Sequence, residues 1–495
     1  MSKEILIKGF TTTILSLIFV WGIFSRYYDE ESGNQSSVGD RQKYLPYILG
    51  NLLPACILAV AILGLISFGV QDTAKTMISV CFGIFLHISL YYIILTVTIP
   101  LFRKYISART CAVLWMLPNY LYITFYNYMK VEKPFLVIRA PRNVVWLIFG
   151  IWLAGFLAVF LGNIVSHHVF RSNLLKDAKE VTDTEILEKW KLELKNANMQ
   201  YTKYRLMVSS SAKTPLSVGL FRRQICVVLP EKEYSSEELS LIFRHEIVHI
   251  GREDAWSKFF LLFCTAMCWF NPLMWIAMRK SAEDLELSCD ETVLLNSDDT
   301  ARRQYANLIL NTAGDERGFT TCLSSSASAL RYRLKNVMKP KKRYSGALIV
   351  GVICFTLFMS YGYVALAYGE SNGKEMIYQN RDTSIYKIRK AYFMIKDSDD
   401  NPVCECVDEN AFHTYMSDLV MDNLTGNYSF SGNDKELHFY YDTPEGTMYV
   451  TLSDHMIQLL PIYEEDVKSY DYYLPEGVDW EYLDEIFVCY PASDS

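Results

Sequence analysis

Long uncharged apolar runs alternate along this chain with charged, amphipathic stretches, and the alternation divides it into parts. Runs from Ile5 to Phe24, Leu45 to Val70, Met77 to Phe102, Cys111 to Met129 and Asn143 to Val165 lie close to or above the roughly 20 residues a helix needs to cross a hydrocarbon layer. One isolated run, Ala347 to Tyr368, follows much later. The pattern predicts an N-terminal transmembrane bundle of about five spans over residues 1–168, a water-facing domain over 169–344, a transmembrane helix over 345–368 and an acidic domain over 369–495. The first run is long for a signal-peptide core and more spans follow it, so it reads as a retained helix.

After Val165 the period changes. Arg171 to Asn198 spaces Ile186, Leu187, Trp190 and Leu194 among Glu and Lys as a surface helix does, and Thr182 with Glu185 has capping-box spacing. Tyr204 to Val208 and Gln224 to Leu229 are β-rich runs separated by Pro215 and Gly219, which predicts a small sheet. Ser235 or Ser236 opens a helix to Ile250, with Gly251 in the C-cap position. The apolar stretch 256–278 is interrupted by Asn271-Pro272, and Pro removes a backbone donor and clashes with the preceding turn. Two membrane-associated helices are expected there rather than one straight span. In the tail, Glu436 to Tyr441 and Thr447 to Leu452 alternate around Pro444-Glu445-Gly446 as a β-hairpin does.

Composition narrows the class. Hydrophobic residues make up 51% of the 495, and the formal net charge is −7, with the acid excess concentrated in the tail. No basic stripe tracks phosphates, so no direct nucleic-acid partner is expected. Of the 12 cysteines, Cys56, Cys81, Cys111 and Cys354 sit in spans and Cys264 and Cys268 beside one, where a small buried hydrophobe suffices. Among Cys404, Cys406 and Cys489 a disulfide between Cys489 and one of the other two is open.

The helix opened near Ser235 carries Arg244-His245-Glu246-Ile247-Val248-His249. Positions i and i+4 share a face, so His245 and His249 can bind one zinc ion while Glu246 stays free as a base. A five-residue pattern with two free positions also arises by chance, so the motif alone leaves the matter even. A zinc hydrolase needs a third protein ligand and keeps one position for water. Glu286 is the candidate, in Asp284-Leu285-Glu286-Leu287-Ser288-Cys289-Asp290, and Asp290 one turn on is placed to accept the N–H of a ligating His. Cys289 reads as packing rather than as a redox sensor or fourth ligand. Arg252 and Asp254 either support the ligands or face the membrane surface. His87 inside a span reads as an interhelical contact, and His167-His168 as interfacial side chains.

The series RHEIVHIGREDAW, CWFNPLMWIAMRK and LELSCDETVL, with VGLFRRQICVVLP upstream, resembles the BlaR/MecR-type integral-membrane metallopeptidases. The likeness is close over roughly residues 170–340 and one of layout in the N-terminal half. It implies His245, His249 and Glu286 as zinc ligands and Glu246 as the catalytic base. The expected fold class is therefore a multi-span α-helical membrane protein with a gluzincin-like α+β zinc metallopeptidase domain and a C-terminal extracytoplasmic α+β domain. Zinc lowers the pKa of bound water to about 7, and Glu246 would pass its proton to the leaving amine. The strand Gln224 to Leu229 would either pair edge-on with an extended substrate or serve as a core strand.

Orientation follows from the basic run Arg331-Tyr332-Arg333 and Lys339 to Arg343, read as a cytoplasmic anchor before the last span. The zinc domain is then cytoplasmic and the tail extracellular, and the loop holding Lys130, Lys133, Arg139 and Arg142 falls outside, against the positive-inside rule. Ser384 and Lys387 spell SxxK, but no KTG or SDN follows and the tail is short for a penicillin-binding fold, so β-lactam sensing is not expected. Two functions are carried forward. One is a signalling endopeptidase in the lipid bilayer that cuts a cytoplasmic regulator such as a repressor, its own chain near Gly314 to Ser328, or both, in response to an unknown extracellular ligand. The other is a receptor or scaffold with structural zinc. A homodimer is left open.

Overall fold

The computed structural model describes residues 3–31, 45–126, 134–140, 142–200, 203–295, 297–312, 327–339, 343–395, 402–424, 435–462 and 469–490. The apolar runs become helices α1 (Lys3–Glu31) and α2 (Leu45–Phe102). Within α2 the chain breaks at Gly69, whose φ of 77° and ψ of 179° suit glycine alone, so α2 is two arms. Helix α3 (Ala108–Met116) is capped by Ser107 and loosens into a 3-10 stretch, Leu117–Tyr126, over Pro118. The run from Cys111 is thus not one straight α-helix. Strand β1 (Leu136–Ala140) leads into α4 (Arg142–Lys176), which keeps Leu147, Ile151 and Leu161 exposed. Among the described residues, three helices are long and apolar enough to cross a membrane: Ile5–Ser25, Val80–Phe102 and Trp146–Lys176. Leu52–Ser67 is a shorter apolar helix.

The middle of the chain forms β2 (Lys179–Glu180), α5 (Thr184–Asn196), β3 (Arg205–Ser209), β4 (Leu216–Val218), β5 (Cys226–Pro230), α6 (Ser236–Arg252), α7 (Asp254–Met267), α8 (Pro272–Val293), α9 (Asp299–Thr312) and α10 (Ala327–Met338). The cap of α5 is Asp183, which accepts from Glu185 and Ile186, rather than Thr182. The stretch around Asn271-Pro272 does form two helices, with Asn271 capping α8 and Pro272 at its first position. The sheet order is β2-β3-β5-β4. Strand β5 is central and buried throughout, paired in parallel to β3 and antiparallel to β4, so it is a core strand with no edge for a substrate. Trp190 of α5 packs edge-on against Phe243 of α6 at 5.1 Å, joining the helices over this sheet.

The last apolar helix, α11 (Ala347–Ser360), is 14 residues long, and the expected helix to Tyr368 instead ends where β6 (Val364–Asn372) begins. The C-terminal part then adds α12 (Gly373–Met376), β7 (Lys387–Ile395), β8 (Val403–Cys406), α13 (Glu409–Asp418), β9 (Val420–Leu424), β10 (Lys435–Thr443), β11 (Gly446–Ser453), β12 (Met456–Pro461), β13 (Tyr470–Tyr473), α14 (Trp480–Ile486) and β14 (Phe487–Tyr490). The hairpin expected around Pro444-Glu445-Gly446 is β10·β11, closed at Thr443↔Gly446. Cys489 bonds to Cys404 and Cys406 is free. Ser384 and Lys387 are both exposed, separated by extended Tyr386, and share no helical face.

Two sets of polar contacts hold these parts together. On one side, β1 joins the C-terminal sheet, parallel to β6, and Arg139 lies 2.8 Å from buried Asp422. Lys8 donates to Tyr361 O, and His87 Nε2 lies 2.7 Å from Ser360 O, where α11 meets that sheet. At the other end of α2, Arg103 reaches Asp284 of α8 at 2.8 Å, and Trp115 of α3 donates to the same carboxylate. Arg139 is therefore placed by an ion pair, whereas Lys130 and Lys133 lie outside the described residues.

Candidate metal centre

Helix α6 is nucleated locally: Ser235 accepts from Glu238 N while the Glu238 carboxylate accepts from Ser235 N. Its apolar positions Leu239, Ile242, Phe243, Ile247 and Ile250 face the core, which fixes the rotation of the face bearing His245 and His249. The helix runs past Gly251, and the left-handed residue that ends it is Glu253, with φ of 57°. That turn folds the chain back so that Asp254, first residue of α7, meets the helix it has just left.

The two imidazole Nε2 atoms lie 3.2 Å apart, and each is 3.6 Å from an oxygen of Glu286 on α8. Their other edges are held. His249 Nδ1–H donates to Asp254 at 2.7 Å. His245 Nδ1–H donates to the Tyr305 hydroxyl of α9 at 2.8 Å, and Tyr305 donates in turn to Asp290 at 2.7 Å. With the Nδ1 protons engaged, both Nε2 edges face Glu286, the arrangement that outer carboxylates impose on metal-binding imidazoles. Asp290 was expected to bond a histidine directly. It stands 3.8 Å from His245 Nδ1 and acts through Tyr305 instead.

Arg333 of α10 grips Asp290 with two 2.8 Å hydrogen bonds and stands 3.8 Å from Glu286. Arg343 pairs with Glu291, the residue after Asp290. Part of the basic run read as a membrane anchor is therefore spent on α8. Cys289 lies 3.3 Å from His245 Nδ1 and 3.4 Å from His245 O. His245, His249 and Cys289 also form a possible ligand set, one atom of each lying within 4.8 Å of the others. The sulfur, however, touches the edge of His245 that Tyr305 already holds, while Glu286 faces both Nε2 atoms. The geometry therefore favours Glu286 as the partner of the two Nε2 atoms.

Buried polar atoms without hydrogen-bond partners cluster here: Glu246 Oε2, Glu286 Oε1 and Lys258 Nζ. Orphans of this kind mark places for an ion, water or substrate. The electrostatics agree. Burial alone would favour neutral imidazoles, but Cys289 and Glu286 outweigh it, holding His245 protonated to about 10 and His249 well above its usual range. Burial opposes the Glu286 charge, yet His249 and His245 pull its carboxyl well below the ordinary value. Without metal, the cage attracts positive charge, which a metal ion would supply in place of protons. A set of two nitrogens and one carboxylate suits a catalytic divalent metal with a free position.

Residues 121–337 match the protein family described as BlaR1 peptidase M56. The chain carries a peptidase domain of the BlaR/MecR type. The regulatory protein BlaR1 of Bacillus licheniformis is 25% identical over 185 residues, which cover 37% of this chain and 30% of that protein. The methicillin resistance mecR1 protein of Staphylococcus aureus (strain Mu50 / ATCC 700699) is 27% identical over 158 residues, 31% of this chain and 26% of its own length. The match thus spans less than a third of either relative. The matched region includes every residue of the centre, from His245 to Arg333.

Sequence reasoning missed three groups of this BlaR/MecR-type centre, Lys258, Tyr305 and Arg333. Lys258 follows Asp254 by one turn on α7, so its face could have been read from the helix period. Tyr305 and Arg333 come from helices whose place depends on tertiary packing, and no spacing pointed to them.

Proposed function

We propose that this protein is a zinc-dependent endopeptidase of the membrane, with His245, His249 and Glu286 as metal ligands and Glu246 as general base. The observation that carries the reading is the convergence of two Nε2 edges and the Glu286 carboxylate beside Glu246, which is buried with a free Oε2. Zinc would supply Lewis acidity and an acidic bound water there. Glu246 takes the water proton and delivers it to the departing amine. Asp254, and Tyr305 with Asp290, keep both imidazoles in the tautomer that presents Nε2. An extended substrate would dock along β4, an edge strand of the sheet beside α6.

The placement of the metal domain and the C-terminal sheet at different ends of α11 supports a cytoplasmic peptidase coupled to an extracellular domain. A signal reaching the outer domain would lead to cleavage of a cytoplasmic regulator, such as a transcriptional repressor, or of the chain itself. The self-cleavage candidate, Gly314 to Ser328, falls almost wholly outside the described residues. The alternative, a receptor with structural zinc, draws on Cys289 as a fourth ligand that would close the site, and the engagement of that sulfur with the outer edge of His245 speaks against it.

Glu246→Gln tests the reading. Zinc content and folding should persist while cleavage products disappear from cells carrying the variant. Unchanged products would remove the proteolytic assignment.

A further inference from the structure

A peptidase of this kind must stabilise an oxyanion, and the HExxH helix supplies no group for it. The cationic and hydroxyl groups around the centre divide by what they already hold. Arg333 is committed to both oxygens of Asp290. Tyr305 is committed to Asp290 and His245. Arg252 is committed to Ser288 and Thr292, which ties the end of α6 to α8. Lys258 differs. Its ammonium is buried without a hydrogen-bond partner, and its nearest charge is Glu286 Oε1 at 3.6 Å, an oxygen that is itself unbonded. It sits one turn after Asp254 on α7, so one helix face aims Asp254 at His249 and Lys258 at Glu286.

A buried ammonium left without a hydrogen bond is costly unless something bonds it in the working state. Metal–ligand distances near 2 Å put Lys258 Nζ within about 6 Å of any ion held by Glu286 and the imidazoles. A substrate carbonyl polarised by that ion would bring its oxygen into the space between ion and ammonium. We propose that Lys258 is a catalytic residue that stabilises the oxyanion of the addition intermediate; this rests on the proteolytic reading above. As the water oxygen bonds to the carbonyl carbon, its proton passes to Glu246 and the C=O π pair moves onto the substrate oxygen. The N–H groups of the buried Lys258 ammonium bond that new anion more strongly than they bond the neutral carbonyl. When the pair returns, the C–N bond breaks and the amine leaves with the proton from Glu246. Interactions that strengthen only as charge develops raise kcat rather than substrate affinity.

The test uses the full-length, zinc-loaded protein in detergent with a quenched fluorescent peptide library, then with a phosphinate analogue of the best peptide, whose tetrahedral anion mimics the intermediate. Lys258→Met should retain zinc, lose about 100- to 1000-fold in kcat with little change in KM, and weaken phosphinate binding by a similar factor. Lys258→Arg should recover part of both, because it keeps the charge. Native kcat or native phosphinate affinity in Lys258→Met would overturn the proposal. So would zinc loss in Lys258→Met that Lys258→Arg repairs without restoring phosphinate binding, since Lys258 would then only brace Glu286. Glu246→Gln separates the two readings: if it cleaves like the native chain, proteolysis itself fails, whereas an inactive Glu246→Gln beside an active Lys258→Met rejects Lys258 alone.

Discussion

Asp254 shows how much a single carboxylate can decide. It is buried, its Oδ2 lies 2.7 Å from His249 Nδ1, and burial, which opposes its charge, is outweighed by that imidazole, so its carboxyl is held below the usual range. Asp254→Asn keeps the shape but removes the preference for Nε2 as the free edge. Metal affinity should fall about 10- to 100-fold, read from retention during chelator titration. A second outcome follows from the imidazoles themselves. Cys289 and Glu286 raise both imidazoles without metal, His245 to about 10, so protons compete with a cation for these rings and binding must expel them. Calorimetry in buffers of different ionisation enthalpy should report protons released as the ion binds, and apparent affinity should rise with pH. Release of none would show that the metal-free imidazoles are neutral. At this scale the pairing of His245 with His249 was legible from i, i+4 spacing on one helix, while Glu286, on another helix, was singled out by the family resemblance. Tyr305 and Arg333 were not, because a residue that acts through Asp290 leaves no periodic trace.

Helix α8 is where site and bundle meet. It carries Glu286 and Asp290 toward the two imidazoles and Asp284 toward the bundle, where Arg103 and Trp115 take one oxygen each. Asp284 is 1% exposed and Arg103 17%, so removing the cation strands a buried carboxylate. Arg103→Met should cost roughly 3–5 kcal/mol, measured as a loss of thermal stability, and Arg103→Met with Asp284→Asn should recover part of it. If the single variant is as stable as the native chain, the pair does not anchor α8. Asn271-Pro272 announced the start of this helix in the sequence, because a Pro after a capping side chain has one comfortable place. The ends of α6 and α11 were misplaced for the opposite reason. Glycine at 251 tolerates a helix interior, Glu253 takes the left-handed turn, and apolar Val364 to Tyr368 serve a buried strand as well as a helix.

At the scale of the whole molecule, order along the chain and partition into parts were readable from hydropathy, but the joins were not. Strand β1 lies far from β6 in sequence and nothing local says that they pair. The reading of sidedness predicts that protease added to intact cells removes the C-terminal sheet and spares α5 to α10 until the membrane is opened; digestion of the metal domain in intact cells would reverse it. One consequence reaches across these parts. The Asp290 carboxylate is gripped by Tyr305 from α9 and Arg333 from α10, and Gly314 to Ser328 is the covalent path between them. A chain cut along that path keeps both grips only as long as its halves stay associated, with Arg333 departing together with α11 and strands β6 to β14. Such a cut would work as a timer: the lifetime of the nicked enzyme becomes the dissociation time of its own second fragment.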